Sequence, residues 1–222
     1  MVYAARGVMT VSTSDGTWIV PTHRAVWIPA RKQHRIVMSG VVAMRTLYLR
    51  PGTAKTLREE CCVVNVPLLL KELILHACEL QSLSRGSWRE RHVIDIFVDQ
   101  LEAIQTVPLR LPTPSDGRAQ RVAQLLLAHP GSQRRLEDFC RLAGASKRNM
   151  ERLFLKDVGM SLGRWRQQSR LMYALQLLAQ GATVTNAALE SGYSTPSSFI
   201  SMFRKVLNTT PARYFGMGKS AG

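Results

Sequence analysis

The side chains best suited to contact a ligand form two polar and basic groups in the C-terminal half of the sequence. The first group is Lys147, Arg148, Asn149, Glu151, Arg152 and Lys156; the second is Thr195, Ser197, Ser198, Ser201, Arg204 and Lys205. Arginine pairs well with guanine, asparagine with adenine, glutamate with cytosine N4, and lysine with phosphate. The first group therefore has the chemistry to discriminate base pairs. The hydroxyls and basic end of the second indicate backbone contacts and modest base discrimination. The alternative for each residue is an ordinary solvated helix surface.

Each group lies on the second helix of the same sequence pattern, which consists of a short helix, a glycine turn and a second helix. The turn glycines are Gly144 and Gly192, and Ser146 and Ser194 are placed to cap the helices that follow. The inward-facing residues are Phe139, Ala143, Met150 and Phe154 in the first unit and Ala188, Phe199, Met202 and Phe203 in the second. A repeated helix-turn-helix on a basic background is typical of a protein that reads duplex DNA with two probes. We call the second helix of each unit a reading helix.

A long helix is predicted between the two units, capped by Ser161 and ended by Gly181. Its core side carries Leu162, Trp165, Met172, Leu175 and Leu178. A helix of about 19 residues spans roughly 28 Å at 1.5 Å per residue. That length is close to the ~34 Å pitch of the duplex, so both reading helices are expected to reach successive major grooves on one face.

Charge and cysteine content narrow the class of protein. The formal net charge is +15, of which +5 falls in residues 1–110 and +10 in residues 111–222. Such an excess suits phosphate neutralisation, although basic charge also serves solubility or an anionic membrane. The four cysteines form no C-x-x-C pattern, which favours reduced thiols in a cytoplasmic protein, with a redox pair at Cys61 and Cys62 as the alternative. No signal peptide or membrane span is expected.

Short β-strands are predicted over residues 3–50. They cover Val8–Val11, Thr17–Val20, Ala25–Ile28, His34–Val37 and Met44–Leu49, and the breakers between them include Pro21, Pro29, Gly40 and Pro51-Gly52. Closely spaced short strands suggest a small barrel or jelly roll. Some fifty residues are few for a closed barrel, so residues 1–58 are expected to form a partial one.

Helical periodicity replaces the strands from Pro67. One helix is expected to run to about Ser84, and a second from Trp88 to Gln105 with an apolar stripe of Ile94, Phe97, Leu101 and Ile104. The stripe either packs on the barrel or forms a homodimer interface, and both remain open. Residues 107–117 are proline-rich and predict an interdomain linker. Residues 59–111 are thus assigned as a helical connector and 112–222 as the DNA-binding domain.

A family resemblance appears in the second unit. The residues that carry it are Ala188, Gly192-Tyr193, Ser197-Ser198-Phe199, Phe203-Arg204-Lys205 and Pro211–Tyr214. With them, residues 118–216 resemble the DNA-binding domain of the AraC/XylS family of bacterial transcription regulators. Ser201 stands where the family commonly has arginine, and Asn208 where it has glycine. The resemblance implies a duplex DNA operator, a homodimer, and RNA polymerase as a partner if the regulator activates.

Residues 3–50 resemble the cupin-like sensor domain of one branch of that family. The matching run extends from Gly7–Val11 through Gly16–Trp18 and Ala25–Pro29 to His34. A cupin adds a histidine-rich motif on its first strand, which has no counterpart before Tyr3. We therefore expect no metal or other cofactor, and an effector pocket at Trp18, Trp27 and His34 suited to a small organic molecule. The alternative is a metal effector bound by His23 and His34.

The predicted fold is mixed, with an N-terminal partial cupin-like β-barrel and an all-α C-terminal domain that holds two helix-turn-helix motifs. The predicted function is a sequence-specific transcription regulator and not an enzyme. One alternative is a cupin-type metalloenzyme or a repair alkyltransferase carrying a DNA-binding module, although the sequence shows few convergent histidines and no activated cysteine motif. Another is a non-specific architectural DNA binder, which would lack a polar reading face.

Overall fold

The computed structural model describes residues 1–50, 53 and 59–215, and the chain forms two units. The first comprises Met1–Thr13 and Trp18–Pro108; the second comprises Ser14–Thr17 and the residues from Leu109 onward. The first unit is built on an antiparallel sheet of β1 (Val2–Thr13), β2 (Gly16–Val20), β3 (Arg24–Trp27), β4 (Arg35–Thr46), β5 (Cys62–Asn65) and β6 (Thr106–Val107). The strand order is β6-β5-β3-β1-β2, and β4 also pairs with β1. The prediction of an N-terminal β-structure is confirmed, whereas its cupin-like character stays a prediction.

Strand β4 corrects the sequence analysis, which placed a break at Gly40 and a separate strand at Met44–Leu49. The strand is continuous over its 12 residues and pairs with β1 from Arg35 opposite Ser12 to Thr46 opposite Val2. The register shifts near Gly7 and Gly40, whose φ angles are +77° and +73°. A Cβ on Gly7 would lie 2.6 Å from the Val41 carbonyl oxygen. Glycine here permits a bulge rather than a break, so pairing continues on both sides.

Two helices pack against this sheet, α1 (Leu68–Glu79) and α2 (Trp88–Glu102). Leu70 and Ile74 of α1 share a core with Phe97 and Leu101 of α2 and with Tyr3 of β1. Phe97 and Leu101 are only 8% and 5% exposed, and Ile104 packs against the same cluster. Burying each such side chain stabilises the fold by about 1.5–3 kcal/mol. Of the predicted stripe, Phe97, Leu101 and Ile104 therefore pack within the chain, whereas Ile94 is only partly buried, and the homodimer stays a prediction.

The segment predicted as a linker, residues 107–117, is ordered and largely engaged. It contains the end of β6 and the whole of β7 (Arg110–Pro112), and Leu109 and Leu111 are buried. The prolines of this segment disfavour helices but are compatible with short edge strands. The alternating leucines give the period of two that marks a strand. The strand Cys62–Asn65 was also missed, and the predicted boundary at residue 58 and the break at Pro51-Gly52 lie outside the described residues.

The second unit is helical apart from β7 and the short segment Ser14–Thr17. Its helices are α3 (Gly117–Ala128), α4 (Leu136–Leu142), α5 (Lys147–Val158), α6 (Leu162–Ala179), α7 (Val184–Glu190), α8 (Pro196–Leu207) and α9 (Pro211–Tyr214). Helices α4–α5 and α7–α8 are the two predicted helix-turn-helix units, and α6 is the predicted long helix between them. No helix in the described part of the chain is both long and apolar enough to cross a membrane.

Hydroxyl caps fix where the helices of this unit begin. Ser146 Oγ accepts from the Asn149 backbone N–H at 3.3 Å, and Ser161 Oγ accepts from that of Arg164 at 3.2 Å, which confirms both predicted caps. The cap predicted at Ser194 is wrong. Thr195 caps α8 instead, with its Oγ1 3.2 Å from the Ser198 nitrogen. Pro196 follows as the first helical residue, where proline's fixed φ and missing N–H are harmless.

Candidate nucleic-acid interface

Helix α5 is held by its apolar face, so its polar face is available for contacts. Met150, Leu153 and Phe154 are buried, and Gly144 in the preceding turn has φ +72°. A Cβ added to Gly144 would meet nothing within 4 Å, so the glycine is required by the backbone angle and not by crowding. Arg148 and Lys156 project from the opposite face, and both are exposed, with no side-chain hydrogen bond or ion pair in the described part of the chain. The charge of Lys156 helps to lower the pKa of the neighbouring Asp157.

Arg152 and Asn149 form a pair on the exposed face of α5. An Arg152 guanidinium nitrogen donates to Asn149 Oδ1 at 3.1 Å, across one helical turn. The contact orients both side chains while leaving further donors on each group free to meet a base edge. Two residues that can recognise guanine and adenine are thus presented together.

Lys147 is tied back to helix α4. Its Nζ lies 2.7 Å from Glu137 Oε1, and the hydrogen bond raises the pKa of Lys147 and lowers that of Glu137. Both side chains are nearly half exposed, so this ion pair is weak enough to open when a phosphate competes for the ammonium group.

Glu151 has a structural contact that the sequence analysis did not foresee. Its Oε2 accepts from the Leu162 backbone N–H at 3.0 Å, at the start of α6. That N–H is one of the donors that a helix leaves unsatisfied at its N-terminus. The carboxylate therefore links the first reading helix to the long helix, and one of its oxygens already accepts a hydrogen bond within the protein.

Helix α8 presents a simpler surface. Phe199, Phe203 and Leu207 are buried, and Phe199 and Phe203 continue an aromatic series with Tyr193 and Tyr214 at centroid distances of 5.2–5.8 Å. Thr195 and Ser198 use their hydroxyls in the helix cap, because Ser198 Oγ also donates to the Thr195 carbonyl oxygen at 2.7 Å. On α8, the exposed side chains that make no hydrogen bond or ion pair with the described residues are those of Ser197, Ser201, Arg204 and Lys205. Asn208, at the end of the helix, has φ +57°, the left-handed angle that asparagine tolerates.

Helix α6 connects the two helix-turn-helix units, and much of its length is buried. Its 18 residues span roughly 27 Å at 1.5 Å per residue. Trp165 stacks edge-to-face with Phe154 of α5 at 5.7 Å and donates its Nε1–H to the Pro112 carbonyl oxygen at 2.9 Å. Helix α6 is therefore packed against the first reading helix at one end and leads into the second helix-turn-helix unit at the other.

The three residues predicted to form an effector pocket are not brought together. Trp18 is 1% exposed, and His34 is exposed with its Nδ1 2.9 Å from the Lys32 carbonyl oxygen. The register places Trp27 beside the start of β1 and His34 beside its end, since Val26 pairs with Val2 and Arg35 with Ser12. His23 lies near Tyr3, with its Nδ1 3.4 Å from the Tyr3 hydroxyl, and burial lowers its pKa. No group of three or more metal-ligating side chains converges among the described residues.

Two arginines of α6, Arg166 and Arg170, make contacts that the sequence pattern does not indicate. Both are half-buried and bind carbonyl oxygens 32 to 40 positions away in the sequence. No local periodicity signals such contacts, and the only hint in the sequence is their spacing of four, which places them on one face of the helix.

Comparisons with known proteins agree with this geometry. A family model described as a helix-turn-helix domain matches residues 139–217. The HTH-type transcriptional regulator NimR of Escherichia coli K12 is 31% identical over 214 residues, which cover 96% of this chain and 78% of NimR. The regulator RipA of Corynebacterium glutamicum is 36% identical over 115 residues, covering 50% of this chain and 34% of RipA.

A solved regulator from Chromobacterium violaceum, described as having an AraC-type DNA-binding domain, is 26% identical. It covers 47% of this chain and 95% of its own, with a TM-score of 0.43. The assignment of the chain rests on NimR, which it matches over most of both lengths, and on the two helix-turn-helix units described above. The chain belongs to the AraC-type family of helix-turn-helix transcriptional regulators, which act by binding DNA.

Proposed function

We propose that this regulator places α5 and α8 in successive major grooves on one face of a specific operator. The observation that carries the proposal is the pair of equivalent helices, each buried on one side and polar on the other, joined by an 18-residue helix. The roughly 27 Å length of that helix suits the ~34 Å separation of successive major grooves.

The residues of α5 and α8 take different roles in this proposal. Arg148 and the Arg152–Asn149 pair read base edges, because they carry exposed donors suited to guanine and adenine. Lys147, Lys156, Arg204 and Lys205 bind phosphates, with Ser197 and Ser201 as short hydroxyl donors beside them. Glu151, Thr195 and Ser198 are left out of the contact set, because their polar atoms already hold helix ends.

Enzymatic activity is not part of the proposal. A repair alkyltransferase needs a reactive thiolate, but Cys140, beside the first turn, is fully buried and burial raises its pKa to about 11. Burial likewise raises the pKa of Cys78. The named relatives are transcription regulators, in agreement with a non-catalytic role.

Further partners follow from the family. A homodimer on a pseudo-palindromic operator remains a prediction, and since the Phe97–Leu101 stripe is buried, it would use other surfaces. Exposed apolar residues of α1 and α2 are Leu68, Leu69, Trp88 and Ile96, and Leu80 directly after α1 is exposed as well. RNA polymerase is a further expected partner if the regulator activates transcription. We assign no small-molecule or metal effector to Trp18, Trp27 and His34, because the register separates Trp27 from His34.

Selection from a random duplex pool, followed by affinity measurements with the full chain, tests the proposal. The selected sequence should bind at least ~10³-fold more tightly than a shuffled duplex of equal length and composition at physiological salt. Affinity for both should fall steeply with salt, since the second half carries a charge of +10. Equal affinity for the selected and shuffled duplexes would refute sequence-specific regulation.

A further inference from the structure

The loop between α3 and α4, residues 129–135, is fixed by two arginines of α6. Arg170 Nε donates to the Pro130 carbonyl oxygen at 3.1 Å, and one of its terminal nitrogens donates to that of Ser132 at 2.7 Å. Arg166 donates to the carbonyl oxygens of Ser132 and Arg134, the latter at 2.9 Å. The Arg166 guanidinium also lies over the Phe139 ring of α4, 5.3 Å from its centroid. The loop and the first helix-turn-helix unit are thus anchored to α6.

The same loop touches the second helix-turn-helix unit directly. A Cβ on Gly131 would lie 2.3 Å from the carbonyl oxygen of Glu190, the last residue of α7. Gln133 Nε2 donates to the Gly192 carbonyl oxygen at 3.4 Å. Arg170 of α6 also packs against this turn. A Cβ on Gly192 would lie 2.8–2.9 Å from the Arg170 guanidinium atoms, so the side chain is close to the Gly192 backbone. One side chain therefore contacts both the loop that leads into α4 and the turn that leads into α8.

The electrostatic setting shows that these arginines are tightly placed. Burial lowers the pKa of both guanidinium groups, and the charge of Arg170 lowers that of Arg166 further. Neither forms an ion pair with a carboxylate of the described residues, so both charges are satisfied by backbone carbonyls. The planar guanidinium fork can engage two carbonyls in a fixed geometry, which a lysine ammonium cannot reproduce. A flexible surface charge would not be held in this way.

We propose that Arg170 is a positioning residue that sets the spacing and angle between the two reading helices, and hence the single half-site spacing the regulator accepts. The proposal rests on the proposed function, in which α5 and α8 enter successive grooves. One inserted base pair shifts a half-site by about 3.4 Å along the duplex and rotates it by about 35°. A pair of reading helices locked together cannot follow that shift, whereas a loosened pair can.

Binding of the full chain to a panel of duplexes tests this role. The panel contains the selected operator, the same operator with one base pair inserted or removed between its half-sites, and a duplex carrying the α5 half-site alone. Inserting or removing one base pair should cost the unmodified protein at least about tenfold in affinity. Arg170→Ala should lower operator affinity by about tenfold and shrink the insertion penalty to about twofold or less. Its affinity for the α5 half-site alone should be unchanged.

Matched variants separate spacing from charge and from folding. Arg164→Ala removes an exposed arginine of the same helix and should keep the full insertion penalty. Gly131→Ala leaves the charge intact but forces a Cβ against Glu190, and its φ lies outside the left-handed region, so it should also relax the spacing. Arg170→Lys should be intermediate. An Arg170→Ala protein that weakens on every duplex equally, with its insertion penalty retained, overturns the proposal.

A measurement without DNA keeps the inference independent of operator recognition. Spin labels attached through a non-native ketone side chain at positions 156 and 205 report the distance between α5 and α8. The distribution should be single and narrow in the unmodified protein and in Arg164→Ala, and broad in Arg170→Ala and Gly131→Ala. Equal widths in all four proteins would reject the role of Arg170. Failure of the unmodified protein to prefer its selected operator would instead reject the proposed function, whatever the label distances show.

Discussion

Asp157, near the end of the first reading helix, holds Ser115 at the entrance to α3. One carboxylate oxygen, Oδ2, accepts from the Ser115 hydroxyl at 2.7 Å and from the Ser115 backbone N–H at 3.1 Å. The same oxygen accepts from the Asp116 backbone N–H at 3.1 Å. These bonds lower the pKa of Asp157, because they favour its ionised form. The contact fixes the end of α5 to the segment that follows β7.

Replacing Asp157 should therefore weaken the second unit in a pH-dependent way. Because the pKa is lowered in the folded state, the stabilisation is fully present above the unfolded value of about 3.9 and is lost as the pH falls through the folded pKa. Asp157→Asn should lower the free energy of unfolding by about 1 kcal/mol at neutral pH. The difference from the unmodified protein should vanish in strong acid. Urea unfolding at a series of pH values measures it.

Asp99→Asn provides the control for this experiment, since Asp99 is an exposed carboxylate on α2 without a side-chain partner in the described residues. It should change stability by less than about 0.5 kcal/mol at every pH. Asp116, which caps α3 and has its pKa lowered to about 2 by hydrogen bonds from Arg118, titrates in all three proteins. Because the Asp116 backbone N–H donates to Asp157 Oδ2, Asp99→Asn is the variant that leaves the setting of Asp116 unchanged. A constant deficit for Asp157→Asn down to strong acid would contradict the assigned hydrogen bonds.

Arg148→Ala should relax base preference at one position of one half-site and cost about 1–3 kcal/mol in operator binding. Lys205→Ala should weaken all sequences alike and flatten the salt dependence by about one unit, because it removes one phosphate contact. Affinities for a set of single-substitution operators at several salt concentrations distinguish the two. An unchanged base profile in Arg148→Ala would move recognition to the Arg152–Asn149 pair or to DNA shape.

Thr195→Ala should lower the free energy of unfolding by about 1 kcal/mol, because it removes the acceptor for the Ser198 N–H at the start of α8. Ser194→Ala, one position earlier and exposed, should have almost no effect. Denaturant unfolding followed by far-ultraviolet circular dichroism compares the pair. The opposite ranking would restore Ser194 as the cap.

Tyr193→Phe should be neutral or slightly stabilising. The Tyr193 hydroxyl is buried without a hydrogen-bond partner in the described chain, and burial raises its pKa. Removing an unsatisfied polar group relieves a desolvation cost of about 1–3 kcal/mol. Trp165→Phe is the contrast, since it deletes the bond from Nε1 to Pro112 and leaves a cavity, and it should cost about 2 kcal/mol or more. A clear loss of thermal stability in Tyr193→Phe would reveal a partner for the hydroxyl.

The predictable parts of this fold were those encoded within a few residues. Ser146 and Ser161 predicted the starts of their helices, because a cap accepts a hydrogen bond from a backbone N–H three positions later. The spacing of Phe199 and Phe203 predicted a buried helical face. Thr195 was missed because two hydroxyl residues in succession both suit a cap. Only Pro196, which favours the first helical position, decides between them.

The parts that could not be predicted depend on contacts between distant residues. Glu151 has the side chain of a base reader, but an N–H of α6 occupies its carboxylate. Phe97 and Leu101 would have the same spacing if they faced a second chain or the sheet of their own chain, so the spacing does not distinguish the two. Arg148, by contrast, keeps its predicted exposure, and its side chain makes no hydrogen bond or ion pair with the described residues.

The membership of Ser14–Thr17 in the second unit bears on domain transplantation. Asp15 supplies a carbonyl oxygen to Thr113 and to Arg110, and the Gly16 backbone is packed so closely that a Cβ would lie 2.7 Å from the Leu111 carbonyl oxygen. A chimaera that joins a foreign sensor at residue 109 would inherit β7 without Ser14–Thr17. Grafting Ser14–Thr17 together with the DNA-binding half should therefore preserve the packing of β7 in a hybrid regulator.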